Sequence, residues 1–101
     1  MPEQNNQVVH RPEQNRFVIE FEEAPAYLEY ELANDGTLMI MHTEVPAAHS
    51  GEGYAAKLAE AALLHAEENN MKVMPYCTYM ATYLRRHKER YKALVSPEFI
   101  L

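Results

Sequence analysis

Two short apolar stretches, 37–45 and 71–76, flank an alanine-rich segment with helical spacing, and that arrangement leaves few folds open. Strands joined by a helical crossover run parallel, because the chain must return to its starting end before it can pair again. In the first stretch Leu38 and Ile40 are apolar on one face and Met39 and Met41 on the other. A strand apolar on both faces is expected at the centre of a sheet, covered twice. Pro46 stops it. Residues 53–69 then place Ala55, Leu58, Ala59, Ala62 and Ala66 on one helical stripe, with Lys57, Glu60, Glu67 and Glu68 opposite. The small stripe lets this helix lie close to a sheet, and Asn69-Asn70 closes it.

Upstream the period is two. Val8-Val9-His10 reads as a short first strand, and in 16–22 Phe17, Ile19 and Phe21 alternate with Val18, Glu20 and Glu22. Ala26, Leu28, Tyr30 and Leu32 alternate with Tyr27, Glu29 and Glu31, and Asn34-Asp35-Gly36 is hairpin-turn chemistry. Downstream, 78–90 reads as a second helix with Met80, Leu84 and His87 on one side. The pattern predicts an α+β (α/β) domain over 8–95: a mixed, mostly antiparallel sheet with one central parallel pair and two main helices. Residues 1–7 are expected to be a flexible N-terminus and 96–101 a C-terminal tail.

Charge and composition narrow the function. A single cysteine among 101 residues excludes an internal disulfide framework and a cysteine-based zinc site, and no metal site is expected. A net charge of −6 argues against a general nucleic-acid binder. No apolar run approaches the roughly 20 residues that cross a bilayer, and the polar start is no secretory signal. These features predict a reduced, cytoplasmic protein without nucleic-acid or membrane partners. The charge is uneven: Arg85, Arg86, Lys88, Arg90 and Lys92 crowd one segment, opposed there only by Glu89. That cluster is either a solvated helix end, which the helix dipole favours, or a local anion site.

Ala47-Ala48-His49-Ser50-Gly51-Glu52-Gly53-Tyr54-Ala55-Ala56 joins the apolar strand to the helix. Two glycines let backbone approach a ligand without a Cβ, and a helix start offers unpaired N–H groups and partial positive charge. Such a turn is either a plain helix entry or a phosphate cradle. It is not a P-loop, since no Gly-Lys-Ser/Thr follows, and it lacks the third glycine of a dinucleotide fingerprint.

His42-Thr43-Glu44-Val45-Pro46, Ser50-Gly51-Glu52-Gly53-Tyr54-Ala55, the alanine-rich helix and Val73-Met74-Pro75-Tyr76-Cys77 together resemble the GNAT superfamily of acetyl-CoA-dependent N-acyltransferases, in its short, cysteine-bearing branch. Gly53 and Ala55 match the last two fixed positions of its pyrophosphate motif, while Ser50 stands where Gln or Arg is usual. The resemblance implies a truncated GNAT fold without the extra N-terminal helices and final hairpin of larger members. It implies acetyl-CoA as cofactor, with its pantetheine arm along the backbone of Thr43, Glu44 and Val45. The pyrophosphate would lie on the turn from Ser50 through Gly51, Glu52, Gly53, Tyr54 and Ala55 to Ala56. The parallel strands must splay there, which Pro75 eases because it donates no ladder hydrogen bond. Arg86 is the candidate for the 3′-phosphate, since Arg grips phosphate bidentately.

For the chemistry, Cys77 is either an acetyl-accepting nucleophile at a helix start or a small buried apolar residue, with Tyr76, Tyr79 and Met80 as apolar neighbours. His42 and Glu44, two apart on a strand, share a face. They read as a base with its partner, or as a core histidine and a carboxylate capping the glycine turn. Tyr83 either meets the leaving CoA thiolate or packs in the core with a wet hydroxyl. The implied function is transfer of an acetyl group to an unidentified amine, through Cys77 or by direct attack, in a monomer or weak homodimer. A non-catalytic acyl-CoA-binding module and a plain interaction domain are the alternatives.

Overall fold

In the computed structural model, which describes residues 7–101, five strands form one sheet in chain order. They are β1 (Val9–Arg11), β2 (Arg16–Ile19), β3 (Ala26–Leu32), β4 (Leu38–Glu44) and β5 (Val73–Pro75). Apart from Gln7, the segment expected to be flexible lies outside the described residues. The first three junctions are antiparallel. β4 and β5 run parallel, joined by α1 (Tyr54–Glu68), as the helical crossover requires. The chain then forms α2 (Thr78–Arg86) and a one-turn α3 (Lys88–Tyr91).

The α+β class holds, but the parallel pair is not central: β5 is the last strand, backed by a single bridge from Val73 to Val95. Nor is β4 covered twice. One core cluster takes Phe17, Ile19, Leu28, Leu38, Ile40 and Val73 from the sheet together with Leu58, Leu63, Met80 and Leu84 from the helices, so both main helices pack on the same face. Met39 is half-buried and Met41 exposed on the open side. Methionine's flexible, weakly polar stem tolerates such a face better than a branched aliphatic would.

The expected second helix is broken at His87, whose backbone leaves helical geometry at φ −121° and ψ 35°. His87 is therefore exposed rather than on the buried side with Met80 and Leu84. The bend lets Arg90 form a bidentate pair with Glu67 of α1, at 2.6 and 3.1 Å, and buries Tyr91. Residues 96–101, the expected C-terminal tail, lie against the domain. The Ser96 N–H donates to the Val73 carbonyl, Phe99 and Leu101 pack on the core, and the Arg85 guanidinium donates to the Ile100 carbonyl.

Candidate functional site

A bulge in β4 determines which way the candidate residues point. Tyr30 pairs with Ile40 but Glu29 pairs with His42, so Met41 is an extra residue in the β3–β4 ladder. An extra residue inverts the alternation beyond it. Ile40 faces the core; without the bulge, His42 and Glu44 would too. Instead they lie opposite Glu29 and Tyr27 on the open face, with side chains 52% and 54% exposed and His42 Nε2 3.1 Å from Glu44 Oε1. Glu44 thus pairs with His42 and does not cap the glycine turn, and His42 is not a core histidine. Thr43, opposite buried Leu28, turns inward instead.

Thr43 meets Cys77 there. Its Oγ1 lies 3.4 Å from Cys77 Sγ, and that sulfur also accepts the Met80 N–H at 3.4 Å as the cap of α2. Cys77 is 8% exposed. It sits where the parallel strands part: β4–β5 pairing ends at Ile40 and Pro75, and the N–H groups of Tyr76 and Cys77 both close onto the Ile40 carbonyl. Beyond that point β4 runs on from Met41 to Glu44 without a β5 partner. The gap is a cleft of about 360 Å³ lined by Met41, His42, Thr43, Tyr76, Cys77, Thr78 and Tyr79.

A second pocket, of about 310 Å³, opens at the start of α1. Val45, His49, Ser50, Gly51, Gly53, Tyr54, Ala55, Ala56 and Tyr79 line it. Gly51 and Gly53 adopt φ of +77° and +87°, and no atom lies within 4 Å of where a Cβ would stand, so backbone forms the pocket wall. No side chain caps α1. An uncapped helix start beside bare backbone suits a phosphate ester, and the residues present therefore fit the pyrophosphate of acetyl-CoA. The Ser50 hydroxyl is spent on the Ala47 carbonyl at 3.1 Å and is no substitute for a cationic side chain. Tyr79 lines both pockets, so the glycine turn and the Cys77 cleft meet at one side chain.

The structure thus brings Cys77, His42 and Thr43 to one cleft and Val45, Ser50, Gly51, Gly53, Tyr54, Ala55 and Ala56 to the adjoining pocket. It brings neither Tyr83 nor Arg86 to either, and Arg86 lines a separate groove with Arg85 and His87. The Tyr83 hydroxyl donates to Glu60 Oε2 at 3.1 Å, and burial, with that carboxylate, pushes the phenol well above its ordinary range. Glu52 contributes to the turn but lines neither pocket. Arg86 lies seven residues beyond Tyr79 on the same helical face, close enough for its charge to act on that phenol. Burial is the largest influence raising the Tyr79 phenol, and Arg86 opposes it.

Sequence reasoning missed three residues here. Tyr79 was legible only as apolar, although its place two residues after Cys77 in a helix start was a signal. Lys57, with its ammonium 5.4 Å from the centre of the Tyr54 ring, puts a cation in the first turn of α1, where the dipole disfavours one. His49 stacks on Phe21 and reaches Glu23, and no periodicity marks that contact.

Known proteins share this chain's sequence pattern and fold. A sequence profile described as GCN5-related N-acetyl-transferase matches residues 16–94. Protein NATD1 of Xenopus tropicalis is 37% identical over 62 residues, covering 61% of this chain and 57% of that protein. The human NATD1 match has the same identity and covers 55% of that protein, so the likeness spans little more than half of these relatives. The NMR structure of a GCN5-like protein from Staphylococcus aureus superposes with a TM-score of 0.67 at 26% identity, covering 93% of this chain and 91% of that one.

Proposed function

Because this chain belongs to the GCN5-related N-acetyltransferase family, we propose that it binds acetyl-CoA along the two joined pockets and transfers the acetyl group to an amine by way of Cys77. The meeting of the glycine-turn pocket and the Cys77 cleft at Tyr79 carries this reading. Bound acetyl-CoA supplies a thioester, an acyl group already activated toward nucleophiles. The backbone of Gly51–Ala56 holds the pyrophosphate, and the free backbone edge from Thr43, in β4, to Val45 just after it holds the pantetheine amides as an added strand would. Arg86, reached past Tyr79, takes the 3′-phosphate.

Within the cleft Cys77 Sγ, fixed by the Met80 N–H and the Thr43 hydroxyl, would bond to the acetyl carbonyl carbon as the bond from that carbon to the CoA sulfur breaks, the thiol's proton leaving with that sulfur as free CoA; the amine then takes the acetyl group from Cys77 and its displaced proton restores the thiol. His42 lines the same cleft, and its imidazole, held by Glu44, accepts the proton that the acceptor's ammonium must lose before its nitrogen can attack. Tyr83, tied to Glu60, fixes α2 against α1 rather than protonating a leaving thiolate. The acceptor approaches from the open sheet face, where nothing described encloses it. A free thiol with this role suits a reducing, cytoplasmic setting. No described helix is long and apolar enough to cross a membrane.

The test is calorimetry with acetyl-CoA followed by intact-mass analysis. We expect binding, and one hydroxylamine-sensitive acetyl group on Cys77. Cys77→Ala should keep the affinity and lose most transfer over an amine panel. A Cys77→Ala protein that acetylates amines at the original rate would exclude the covalent route and leave direct attack assisted by His42. Binding without any transfer or cysteine acetylation would favour a non-catalytic acyl-CoA module.

A further inference from the structure

We infer that His49 is a positioning residue, a proton-dependent clamp between Glu23 and Glu52 that holds the glycine turn in its ligand-binding shape; the inference rests on reading that turn as the acetyl-CoA cradle. The His49 ring stacks on Phe21 with centroids 3.8 Å apart and planes 14° apart, and it meets the Tyr54 ring edge-on at 6.0 Å. It therefore sits between the chain leaving β2 and the first residue of α1, with the turn folded around it. Its side chain is 19% exposed. Both nitrogens face carboxylates: Nε2 is 3.1 Å from Glu23 Oε1, and Nδ1 is 3.5 Å from Glu52 Oε1.

A neutral imidazole has one N–H and one lone pair. It can donate to one of these carboxylates and must turn its lone pair toward the other. The doubly protonated ring presents an N–H to each, a hydrogen bond to Glu23 and an ion pair to Glu52. Glu23 projects from the connection between β2 and β3, whereas Glu52 stands between Gly51 and Gly53. Holding both carboxylates ties the turn to the sheet at the residue between its two left-handed glycines. The charged and titratable groups around the ring are Glu23, Glu52, Tyr54 from α1 and, beyond that ring, Lys57.

The electrostatics run the same way. Two carboxylates beside a site for an anionic ligand repel it, and an imidazolium between them offsets one of the two charges. An imidazolium at His49 both seats the turn and lessens that repulsion, so the turn is tighter and more receptive with the charged ring than with the neutral one. The stack on Phe21 keeps the ring in place in either state, which makes this a change of grip rather than of fold.

Two measurements on the full chain test this: amide hydrogen exchange at residues 50–54 without ligand, and calorimetric affinity for CoA, both from pH 5.5 to 8. The proteins are the unmodified chain, His49→Phe, and Glu23→Gln combined with Glu52→Gln. Phenylalanine keeps the stack and loses the bridges; the paired glutamines leave the ring untouched and serve if His49→Phe does not fold. In the unmodified protein, exchange corrected for its intrinsic pH dependence should slow toward pH 5.5, and it should be flat in both variants. CoA should bind His49→Phe about threefold to fivefold more weakly at pH 6, the size of a partly exposed charge pair, with the difference closing by pH 8. The CoA phosphate titrates equally in all three comparisons and cancels. An identical pH course of exchange in all three proteins would overturn the clamp. If CoA does not bind the unmodified chain, the acetyl-CoA reading fails, while the exchange data still decide whether His49 holds the turn.

Discussion

Gly53 and Gly36 make a matched pair from which the cradle can be tested. Gly53 has φ +87° at the start of α1, and Gly36 has φ +88° in the β3–β4 turn, and neither has an atom within 4 Å of a built Cβ. Alanine at either site therefore meets no clash, and its cost is the left-handed backbone alone, about 1–2 kcal/mol. Restricting the unfolded chain returns about 0.4–1 kcal/mol, leaving a net loss near 1 kcal/mol at each position. For a domain of this size that lowers Tm by about 4–8 °C. Scanning calorimetry should find Gly36→Ala and Gly53→Ala equally destabilised and both folded. Their ligand affinities should separate. The methyl group in Gly53→Ala stands on the bare backbone facing the pocket. Losing one N–H contact to a charged phosphate costs about 1.5–3 kcal/mol, or about 10–140-fold in Kd. Gly36→Ala should bind acetyl-CoA like the unmodified chain. A Gly53→Ala protein with an unchanged acetyl-CoA Kd would refute the cradle, and unequal Tm losses would refute the strain argument.

Arg86→Ala should narrow the difference in affinity between CoA and dephospho-CoA, measured by calorimetry, whereas equal affinities in the unmodified chain would make the basic segment only a solvated helix end. Leu58→Ala removes a fully buried α1 side chain and should cost about 2–5 kcal/mol in urea unfolding, with a smaller loss showing that the helix–sheet contact can collapse around the cavity. The His10 ring stacks on Phe17, and its Nε2 lies 2.6 Å from the Tyr30 hydroxyl; burial first and His65 second hold its pKa below the ordinary 6.5, against Glu13. The unfolded chain then binds the proton more readily, so this contribution is full above about pH 6.5 and is lost as pH falls through the lower folded value. Urea midpoints at pH 7.5 and 5.0 should differ less in His10→Phe than in the unmodified chain, and an equal difference would defeat this assignment.

The elements were legible because their causes are local. Period-two alternation marked β2 and β3, the alanine stripe marked α1 almost to the residue, and a helix between two apolar strands required the parallel β4–β5 pair. The glycine turn was legible for the same reason: positive φ is a property of a residue and its immediate backbone, and Gly51 and Gly53 adopt it as their type allows. Proline in β5 marked where the ladder ends, since a missing N–H is also local.

Pairings between distant residues decided the rest. The extra residue at Met41 exists only in the register of β4 against β3, yet it turns His42 and Glu44 to the open face and Thr43 toward Cys77. Alternation along β4 alone would have put His42 in the core with Ile40. Likewise Tyr79 and Tyr83 lie four apart on α2, and helical spacing cannot tell which reaches the cleft. Glu60 on α1 settles it by taking the Tyr83 hydroxyl, leaving Tyr79 to line both pockets. The basic segment was visible as a run of charges, but Glu67 and the Ile100 carbonyl take up Arg90 and Arg85. Chain sequence determines each residue's preferences; a side chain's partner depends on which other elements the folded chain brings within a few ångströms.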